Sequence, residues 1–319
     1  MKNQLRLSLI IFSAVAVGLL PLSAKGQDES GVRIRGINQI DTTVRLDRGG
    51  AVDLSLISGR IRVTGWDQPT VKISASIESG YLRFSANSSR VMLSVDDEDG
   101  GSYRHRNRNV GEARYEVSVP RGARLILEAV SGDVMARGSQ GEIEASSVSG
   151  DVDVTDGVRT VSAESVSGSV HTAQVNGNLR AETVSGNLRA EGVTGDVEAS
   201  SVSGDIRLAG IQSKDVRTET VSGEITYAGS IEPTGRYGFE SHSGTIRLDI
   251  PRNAGAQFSV ETFSGGIDTD FPVTIPPGKN GRTGHMEFTI GDGRAKITAQ
   301  TFSGEIVVRN GSTTRREDE

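Results

Sequence analysis

The sequence contains no cysteine among its 319 residues, and only 4% of its residues are aromatic. Without cysteine the chain can form neither a disulfide framework nor a thiolate metal site, and a lipid-anchored cysteine near its start is excluded as well. The shortage of aromatic side chains, together with 40 glycines, argues against a globular enzyme built on a bulky core. It favours thin stacked layers instead.

The sequence also lacks any strong excess of basic residues. It carries 35 Lys and Arg against 41 Asp and Glu, for a formal net charge of −6. The charges are interspersed, so no basic stripe suggests a nucleic-acid partner. We therefore expect no nucleic acid among the partners.

One long apolar run is present, over residues 7–22, after a start that carries two basic residues. This pattern predicts a secretory signal peptide over residues 1–26, with cleavage after Ala24 or Gly26. An uncleaved membrane anchor is the alternative, but the run is shorter than the roughly 20 residues needed to span a bilayer. No other segment could span a membrane, so we expect no transmembrane span after signal removal.

A Ser-Gly signature recurs through the chain and organises it. Its first five glycines recur at one constant interval, the next three intervals are slightly longer, and the last is about twice as long. The repeat glycines are Gly132, Gly150, Gly168, Gly186, Gly204, Gly223, Gly244, Gly265 and Gly304. A fixed period of this kind is typical of a solenoid, in which one coil lies on the next.

Positions around the glycine form columns of like residues, as expected where coils stack about 4.8 Å apart. Two residues after the glycine every copy is aliphatic: Val134, Val152, Val170, Leu188, Ile206, Ile225, Ile246, Ile267 and Ile306. The residue before it is always serine, from Ser131 to Ser303, and the third before it is Ser or Thr from Ser147 on. The second before it is valine in six copies and then His242, Phe263 and Phe302.

The local pattern predicts strands. Residues 150–154 and 186–190 alternate polar and apolar side chains, and the glycine after serine suits a corner between two short strands. We therefore predict an all-β fold, a right-handed parallel β-solenoid of the single-stranded β-helix type with about 18–21 residues per coil. It should run continuously over residues 27–310 with almost no helix. Ile206 should face inward and Arg207 outward.

The predicted organisation has four parts. The signal peptide is followed by an N-terminal β segment with the first coils at 27–120, which includes a charged loop at 96–108. Solenoid repeats fill 121–310, with 265–304 as one extended coil that carries a hairpin. Residues 311–319 form a disordered tail. Trp66, the single tryptophan, is interpreted as a residue that caps the end of the first coil.

Several motifs resemble the putative adhesin family of bacteria, also called the Toast-rack domain. They are the Gly-x-Ile-x-Val-x-Gly-Trp-Asp pattern at 59–67, Tyr-x-Val-x-Val-Pro-x-Gly at 115–122, the Val-Ser-Gly-Asp-Val copies, and Phe-Ser-Gly at 263–265 and 302–304. The resemblance covers roughly residues 45–308. It implies a β-solenoid whose rungs stand like slices in a rack, and export or envelope association. It carries over no catalytic residue.

Candidate chemistry is sparse. The histidines are His105, His171, His242 and His285, and none is spaced as a metal pair. His242 is interpreted as a packed or edge histidine. Stacked hydroxyls that bond along the solenoid or bend the corner explain the serine column better than a repeated nucleophile does.

Acidic columns offer the remaining candidates. One contains Asp133, Asp151 and Asp205, with Ser169, Asn187 and Glu224 at the same position; the other contains Glu164, Glu182, Glu219, Glu240 and Glu261. Weaker copies of the glycine at Gly141, Gly177 and Gly195 give the chain a local nine-residue spacing. Calcium-binding nonapeptide repeats have the same period, but they need a second glycine that is missing here. Both columns are therefore interpreted as structural. We predict no catalytic, cofactor-binding or metal-binding residue.

The favoured hypothesis is an exported, non-catalytic β-solenoid protein of the cell envelope or surface, acting as an adhesin, a scaffold or a binding module. Its location would be periplasmic, outer-membrane-associated or extracellular, and its partner an envelope or surface protein or a glycan. Two alternatives stay open: a polysaccharide-active solenoid enzyme, which needs acids and sugar-stacking aromatics on neighbouring coils, and a calcium-stabilised repeat protein.

Overall fold

The computed structural model describes residues 32–96, 110–272 and 284–311. The predicted signal peptide, the predicted tail beyond residue 311, and the charged loop apart from Asp96 lie outside the described residues. Strands, turns and bends make up the described part of the chain, which contains no helix and hence none that could cross a membrane. The all-β prediction is confirmed.

The strands are as follows. They are β1 (Val32–Ile37), β2 (Gln39–Arg45), β3 (Ala51–Trp66), β4 (Thr70–Ile77), β5 (Tyr81–Ala86), β6 (Arg90–Asp96), β7 (Ala113–Pro120), β8 (Arg124–Arg137), β9 (Ile143–Ser147), β10 (Val152–Thr155), β11 (Val161–Ser165), β12 (Val170–Ala173), β13 (Leu179–Thr183), β14 (Leu188–Glu191), β15 (Val197–Ser203), β16 (Ile206–Ile211), β17 (Asp215–Ser222), β18 (Ile225–Gly229), β19 (Arg236–Ser243), β20 (Ile246–Pro251), β21 (Ala256–Ser264), β22 (Ile267–Thr269), β23 (His285–Ile290), β24 (Ala295–Ser303) and β25 (Ile306–Gly311).

Each coil of the repeat region contributes two strands, one on each side of the Ser-Gly corner. The strands before the corner, β9, β11, β13, β15, β17 and β19, pair in parallel and form the front stack. The strands after it, β10, β12, β14, β16, β18 and β20, form the back stack in the same way. This arrangement confirms the parallel β-solenoid and the two short strands per coil.

The register keeps one side chain column inside. Ile206 pairs with Leu188 on one neighbouring coil and Ile225 on the other, and it is only 1% exposed. Arg207, the next residue, is exposed. The predicted inward and outward assignment is therefore correct, as the period-2 alternation of a strand requires.

The C-terminal coils stack out of sequence order. Strands β24 and β25 lie between β19/β20 and β21/β22, so Ile306 pairs with Ile246 on one side and with Ile267 on the other. Strand β23 then pairs antiparallel with β21 on its outer edge. The prediction of one extended coil over 265–304 is therefore wrong. The chain leaves the last rung, adds an edge strand and returns to fill the rung before it.

The N-terminal end also departs from a continuous solenoid. The long strands β3 and β8 each cross both stacks and pair in parallel, and a rung made of β6 and β7 lies on the other side of β3. Beyond it the chain pairs antiparallel, as β6–β5–β1 in one stack and β7–β4–β2 in the other. A continuous solenoid from residue 27 to 310 is therefore wrong at both ends, where antiparallel strands cover the last rungs.

Trp66 does not cap the first coil, because β7, β4 and β2 extend beyond it. Its indole Nε1 instead donates a hydrogen bond of 2.7 Å to the carbonyl of Thr70. This bond closes the turn between β3 and β4. The prediction of a capping role was wrong because the end of the fold is built from strands that follow the first coil in sequence.

The core changes character along the molecule. Between β9 and β17 the buried side chains are aliphatic residues, alanine, serine and threonine. In the later coils Tyr227 packs against Tyr237 and Phe239, with ring centroids 6.0 and 5.2 Å apart. The coils are also longer in this region. More residues separate the paired Ile225 and Ile246 of β18 and β20 than separate the paired Leu188 and Ile206 of β14 and β16. The wider coils accommodate the larger side chains.

Candidate binding surface

The Ser-Gly corner is fixed by a buried hydroxyl three residues before the glycine. Ser165 Oγ donates to the carbonyl of Gly150 in the preceding coil and accepts from the amide of Gly168, both at 2.9 Å. A Cβ on Gly168 would lie 2.0 Å from that same carbonyl oxygen. The coils therefore approach too closely at this corner for any residue but glycine, and the chain path there is tightly defined.

The Ser or Thr three residues before the glycine is buried in every repeat from Ser147 on. The serine directly before the glycine is exposed in every repeat. Further bonds join Ser147 to Gly132, Thr183 to Gly168 and Thr262 to Gly304. Five of the eight hydroxyls from Ser147 to Thr301 bond to the adjacent coil in this way, whereas those of Ser201, Thr220 and Ser241 are buried without a partner among the described residues. The prediction of stacked hydroxyls was made for the serine beside the glycine, and that column faces outward.

The corner interrupts the alternation of side chains. The residues three before and two after the glycine are both buried although they are five positions apart, so the pattern slips by one at the corner. The residue two before the glycine directly follows the buried hydroxyl, so the alternation of the front strand turns it outward. The column of valines and aromatics that the sequence revealed is therefore a surface feature.

We call this outward column the apolar ridge. In spatial order its members are Ile57, Val130, Val148, Val166, Val184, Val202, Val221, His242, Phe302 and Phe263. Ten side chains spaced about 4.8 Å apart give it a length of about 43 Å. The ridge follows the corner along the solenoid from β3 to β21.

Half of the ridge is more exposed than apolar side chains usually are. Val130 is 44% exposed, Phe302 44% and Phe263 73%, and Ile57 and Val166 are exposed as well. The other four valines, Val148, Val184, Val202 and Val221, are half-buried. Five of the eight exposed large hydrophobic side chains of the described residues belong to the ridge. Scattered apolar residues on a surface are ordinary, but a contiguous strip marks an interaction site.

Three rings form one end of the ridge. Phe302 stacks on His242 with centroids 5.0 Å apart and on Phe263 with centroids 4.8 Å apart, and the planes are within 6° of parallel. The out-of-order coil creates this stack, because Phe302 comes from β24, which lies between β19 and β21. His242 is thus an edge histidine, as predicted.

Acidic rows border the ridge on both sides. The row in the front stack, two residues before the ridge, holds Ser55, Glu128, Ser146, Glu164, Glu182, Ser200, Glu219, Glu240, Gln300 and Glu261. The row in the back stack, just after the glycine, holds Arg60, Asp133, Asp151, Ser169, Asn187, Asp205, Glu224, Thr245, Glu305 and Gly266. Together they contain eleven carboxylates and one guanidinium. Negative charge is therefore concentrated beside the ridge.

The back row also holds the corners together. Asp151 Oδ1 accepts a hydrogen bond of 2.8 Å from the amide of Ser169, and Asp205 Oδ1 accepts one of 2.8 Å from the amide of Glu224. Asn187 does the same for Asp205 at 3.0 Å. Each side chain thus satisfies a backbone amide of the next coil. These contacts give the acidic column a structural use that an amide side chain fulfils equally well.

In the front row, two carboxyl groups have a raised pKa. Burial of the Glu128 carboxyl is the main cause, followed by the charges of Asp53 and Glu144. Burial also raises the pKa of Glu182, with Arg180 opposing and Glu164 adding to the shift. Neighbouring acids therefore add to both shifts, after burial.

The histidines do not converge. His171 Nδ1 lies 3.2 Å from Asp153 Oδ2, and His285 Nε2 lies 3.4 Å from Glu287 Oε1, on different parts of the fold. His105 lies outside the described residues. Across residues 32–96, 110–272 and 284–311, no group of three or more His, Asp or Glu side chains is arranged to hold a metal ion.

Comparison with known proteins gives one family match. The family model described as Toastrack DUF4097 matches residues 92–309, and no curated protein matches the chain.

Three solved structures match the chain at low identity. A putative cell adhesion protein of Clostridium sporogenes has 10% identity and a TM-score of 0.23, covering 85% of this chain and 99% of that one. A putative lipid binding protein of Parabacteroides distasonis has 12% identity and a TM-score of 0.45, covering 85% and 96%. A putative adhesin of Bacteroides fragilis has 12% identity and a TM-score of 0.36, covering 86% and 98%.

Proposed function

Because this chain belongs to the Toastrack DUF4097 family, we propose that it is an exported, non-catalytic protein of the cell envelope or surface. In this proposal the solenoid is a rigid support, and the apolar ridge is the surface that binds a partner. The observation that carries the proposal is the exposure of the ridge along one corner of the fold. The signal-like pattern of residues 1–26 supports export.

Exposing the apolar side chains of the ridge to water costs free energy. Burial of apolar surface contributes about 25 cal/mol per Å² to stability. A partner that covered the ridge would therefore gain favourable binding free energy from the buried apolar area. If the apolar side chains served only to fill the corner, they would point inward. The inward position at the corner is instead occupied by Ser and Thr. A rigid strip also loses little conformational entropy on binding, which favours affinity.

The non-catalytic part of the proposal is supported by the use of the acids. Asp151 and Asp205 accept backbone amides of the adjacent coil, and four other acids of the rows pair with arginines. A polysaccharide-active enzyme would need a general acid and a base that converge on one sugar. Turnover of an envelope polysaccharide that is lost on Asp151→Asn, in a folded variant, would overturn this part.

Site-specific photo-crosslinking in cells that produce the protein tests the proposed function. A photoreactive residue at Val166, on the ridge, should form a discrete adduct in the envelope fraction. The matched control is Val158, which is 42% exposed but lies away from the Ser-Gly corner. Equal adducts from both positions, or a protein that stays in the cytoplasm with residues 1–26 attached, would contradict the proposal.

A further inference from the structure

The charges beside the ridge restrict what can cover it. Starting from the proposed function above, on which this inference rests, we propose that the occupant is a protein segment that offers an apolar strip bordered by Lys and Arg on both sides. Apolar contact would supply affinity along the ridge, and the acidic rows would select the partner and align it.

The charges of the two rows favour a partner segment with basic borders. The front row holds six glutamates and no basic residue, and the back row holds five acids and only Arg60. Arg180 and Arg217 each pair with a front-row glutamate, and Arg60 and Arg247 each pair with a back-row acid. Glu164, Glu240 and Glu261 form no ion pair with another described residue, although Arg217 lies within reach of the charge of Glu240. We expect these carboxylates to accept cations from a partner.

A second copy of this chain fits poorly. Ridge-to-ridge contact between two copies would bring each pair of acidic rows against the rows of the other molecule. Like charges held close together across an interface cost several kcal/mol. The surface of a bilayer rich in anionic lipid would be repelled for the same reason.

A glycan that stacks between the rings of the aromatic end fits poorly. Sugar rings bind aromatic side chains through the ring face, but both faces of Phe302 are covered, by His242 on one side and Phe263 on the other. The outer face of Phe263, which is 73% exposed, has no ring of the stack against it, so the aromatic end offers a sugar one phenylalanine face and otherwise ring edges. Ring edges carry partial positive charge and pack well against aliphatic side chains of a protein.

The test uses two synthetic peptides of equal length, each an amphipathic helix of about 20 residues, or about 30 Å, with leucine on one face. In one peptide the remaining positions are lysine, and in the other they are glutamate. We expect the lysine peptide to bind at least about tenfold more tightly at low salt, and the difference to shrink as salt screens the rows. Equal affinity of the two peptides would overturn the inference.

Two variants and one control locate the binding site. Neutralising the front row with Glu164→Gln, Glu240→Gln and Glu261→Gln should weaken lysine-peptide binding about tenfold and flatten its salt dependence. Val166→Ser with Val184→Ser should weaken it comparably. The control, Asp41→Asn with Asp47→Asn and Glu78→Gln, removes the same charge from exposed sites at the N-terminal end and should have little effect. Equal losses in the control and the front-row variant would show only general attraction to an acidic protein, and would overturn the inference.

Other outcomes separate this inference from the proposed function. A partner crosslinked through Val166 whose contact strip is bordered by acids would leave the proposed function standing and overturn the inference. Sedimentation that shows a dimer, lost in the Val166→Ser and Val184→Ser variant, would make a second copy the occupant and overturn it as well. Binding of vesicles that contain phosphatidylglycerol through the ridge would do the same.

Discussion

The central coils and the two ends of this molecule solve the same packing problem differently. In the centre, each strand pairs with the equivalent strand of the next coil in sequence, as Val152 does with Val170 and Leu188 with Ile206. At the C-terminal end, Ile246 pairs with Ile306, although the coil that contains Ile267 lies between them in the chain. The centre is therefore built by local repetition, whereas the end is closed by a chain segment that returns from elsewhere.

A regular repeat is sufficient to build the central coils, but it does not protect the free strand edges at the two ends. A central coil has a neighbour on each side, so small inward residues and glycine corners satisfy it. An end rung has a free edge that would template pairing with another chain. Here β23 covers β21 of the last rung at one end, and the antiparallel pairs of β1, β2, β4 and β5 cover the rung of β6 and β7 at the other. Among the described strands, β22 of the last rung pairs only with β25. The aromatic end of the ridge results from this closure.

The largest expected effect lies in the centre. Ile206→Asp would place a carboxylate between Leu188 and Ile225 in the core, which should lower the free energy of unfolding by more than about 3 kcal/mol. Arg207→Asp, on the outer face, should cost less than about 1 kcal/mol. Hydrogen exchange should show loosening that spreads to the coils on both sides of Ile206. Equally mild effects of the two substitutions would mean that the register described here is incorrect.

A corner glycine at the C-terminal end tests whether end coils are as tight as central ones. A Cβ on Gly304 would lie 2.0 Å from the carbonyl oxygen of Gly244, and one on Gly168 lies equally close to Gly150. We expect Gly304→Ala and Gly168→Ala each to destabilise the protein by about 2 kcal/mol. Gly122→Ala, with no atom within 4 Å of the added Cβ, is the control. If Gly304→Ala behaves like Gly122→Ala in urea unfolding, the end coils are looser than the central ones.

The tyrosines give the ends a pH dependence that the centre lacks, since none of the five lies between residues 143 and 222. Burial raises the pKa of the Tyr227 hydroxyl, and also those of Tyr115 and Tyr237. The folded state holds these protons more tightly than the unfolded chain. Their contribution is therefore complete below pH about 10 and is lost as the pH rises above that value.

Tyr227→Phe measures this contribution. At neutral pH it should cost about 1 kcal/mol, because the carbonyl of Ser230 loses a hydrogen bond of 2.9 Å. Between pH 9 and 11, approximately the range in which free tyrosine ionises, urea midpoints of the variant should fall less steeply than those of the wild type. Identical slopes would mean that Tyr227 titrates alike in the folded and unfolded states.

The smallest effect is expected at the acidic corner of the centre. Asp151→Ala should cost about 1 kcal/mol, because the amide of Ser169 loses the carboxylate that accepts its hydrogen bond. Asp151→Asn should be nearly neutral, since Asn187 already makes the same contact in its own coil. Urea unfolding of both variants checks this. A costly Asp151→Asn would show that charge at this position matters for the fold.

The fold of the central coils could be predicted from the sequence because the residues that determine it are close together in the chain and recur in every coil. The glycine period set the register, and the aliphatic column identified Ile206 as buried. The ends could not be predicted in this way, because the signature at Gly304 looks like a later coil although it occupies the rung before Gly265. Only long-range packing decides that order.

The candidate binding surface was half visible in the sequence. The valine and phenylalanine column stood out, but counting in twos back from Ile206 would have placed it inside. The alternation breaks at the corner, because the buried Ser165 and the buried Val170 are five positions apart. The acidic rows were recognised as outward columns, yet their position beside the ridge depends on the same slip. The order of the rings His242, Phe302 and Phe263 required the inserted coil.

Two engineered disulfides test the order of the C-terminal coils most directly, because the chain has no cysteine of its own to interfere. Glu240 pairs with Gln300 in adjacent strands of the front stack, and Gln300 pairs with Glu261. We predict that Glu240→Cys with Gln300→Cys oxidises readily, because neighbouring strands place the Cα atoms about 5 Å apart. Glu240→Cys with Glu261→Cys should stay reduced, since a whole strand lies between them. Ready oxidation of the second pair and not the first would place the coils in sequence order and contradict the aromatic end of the ridge as described.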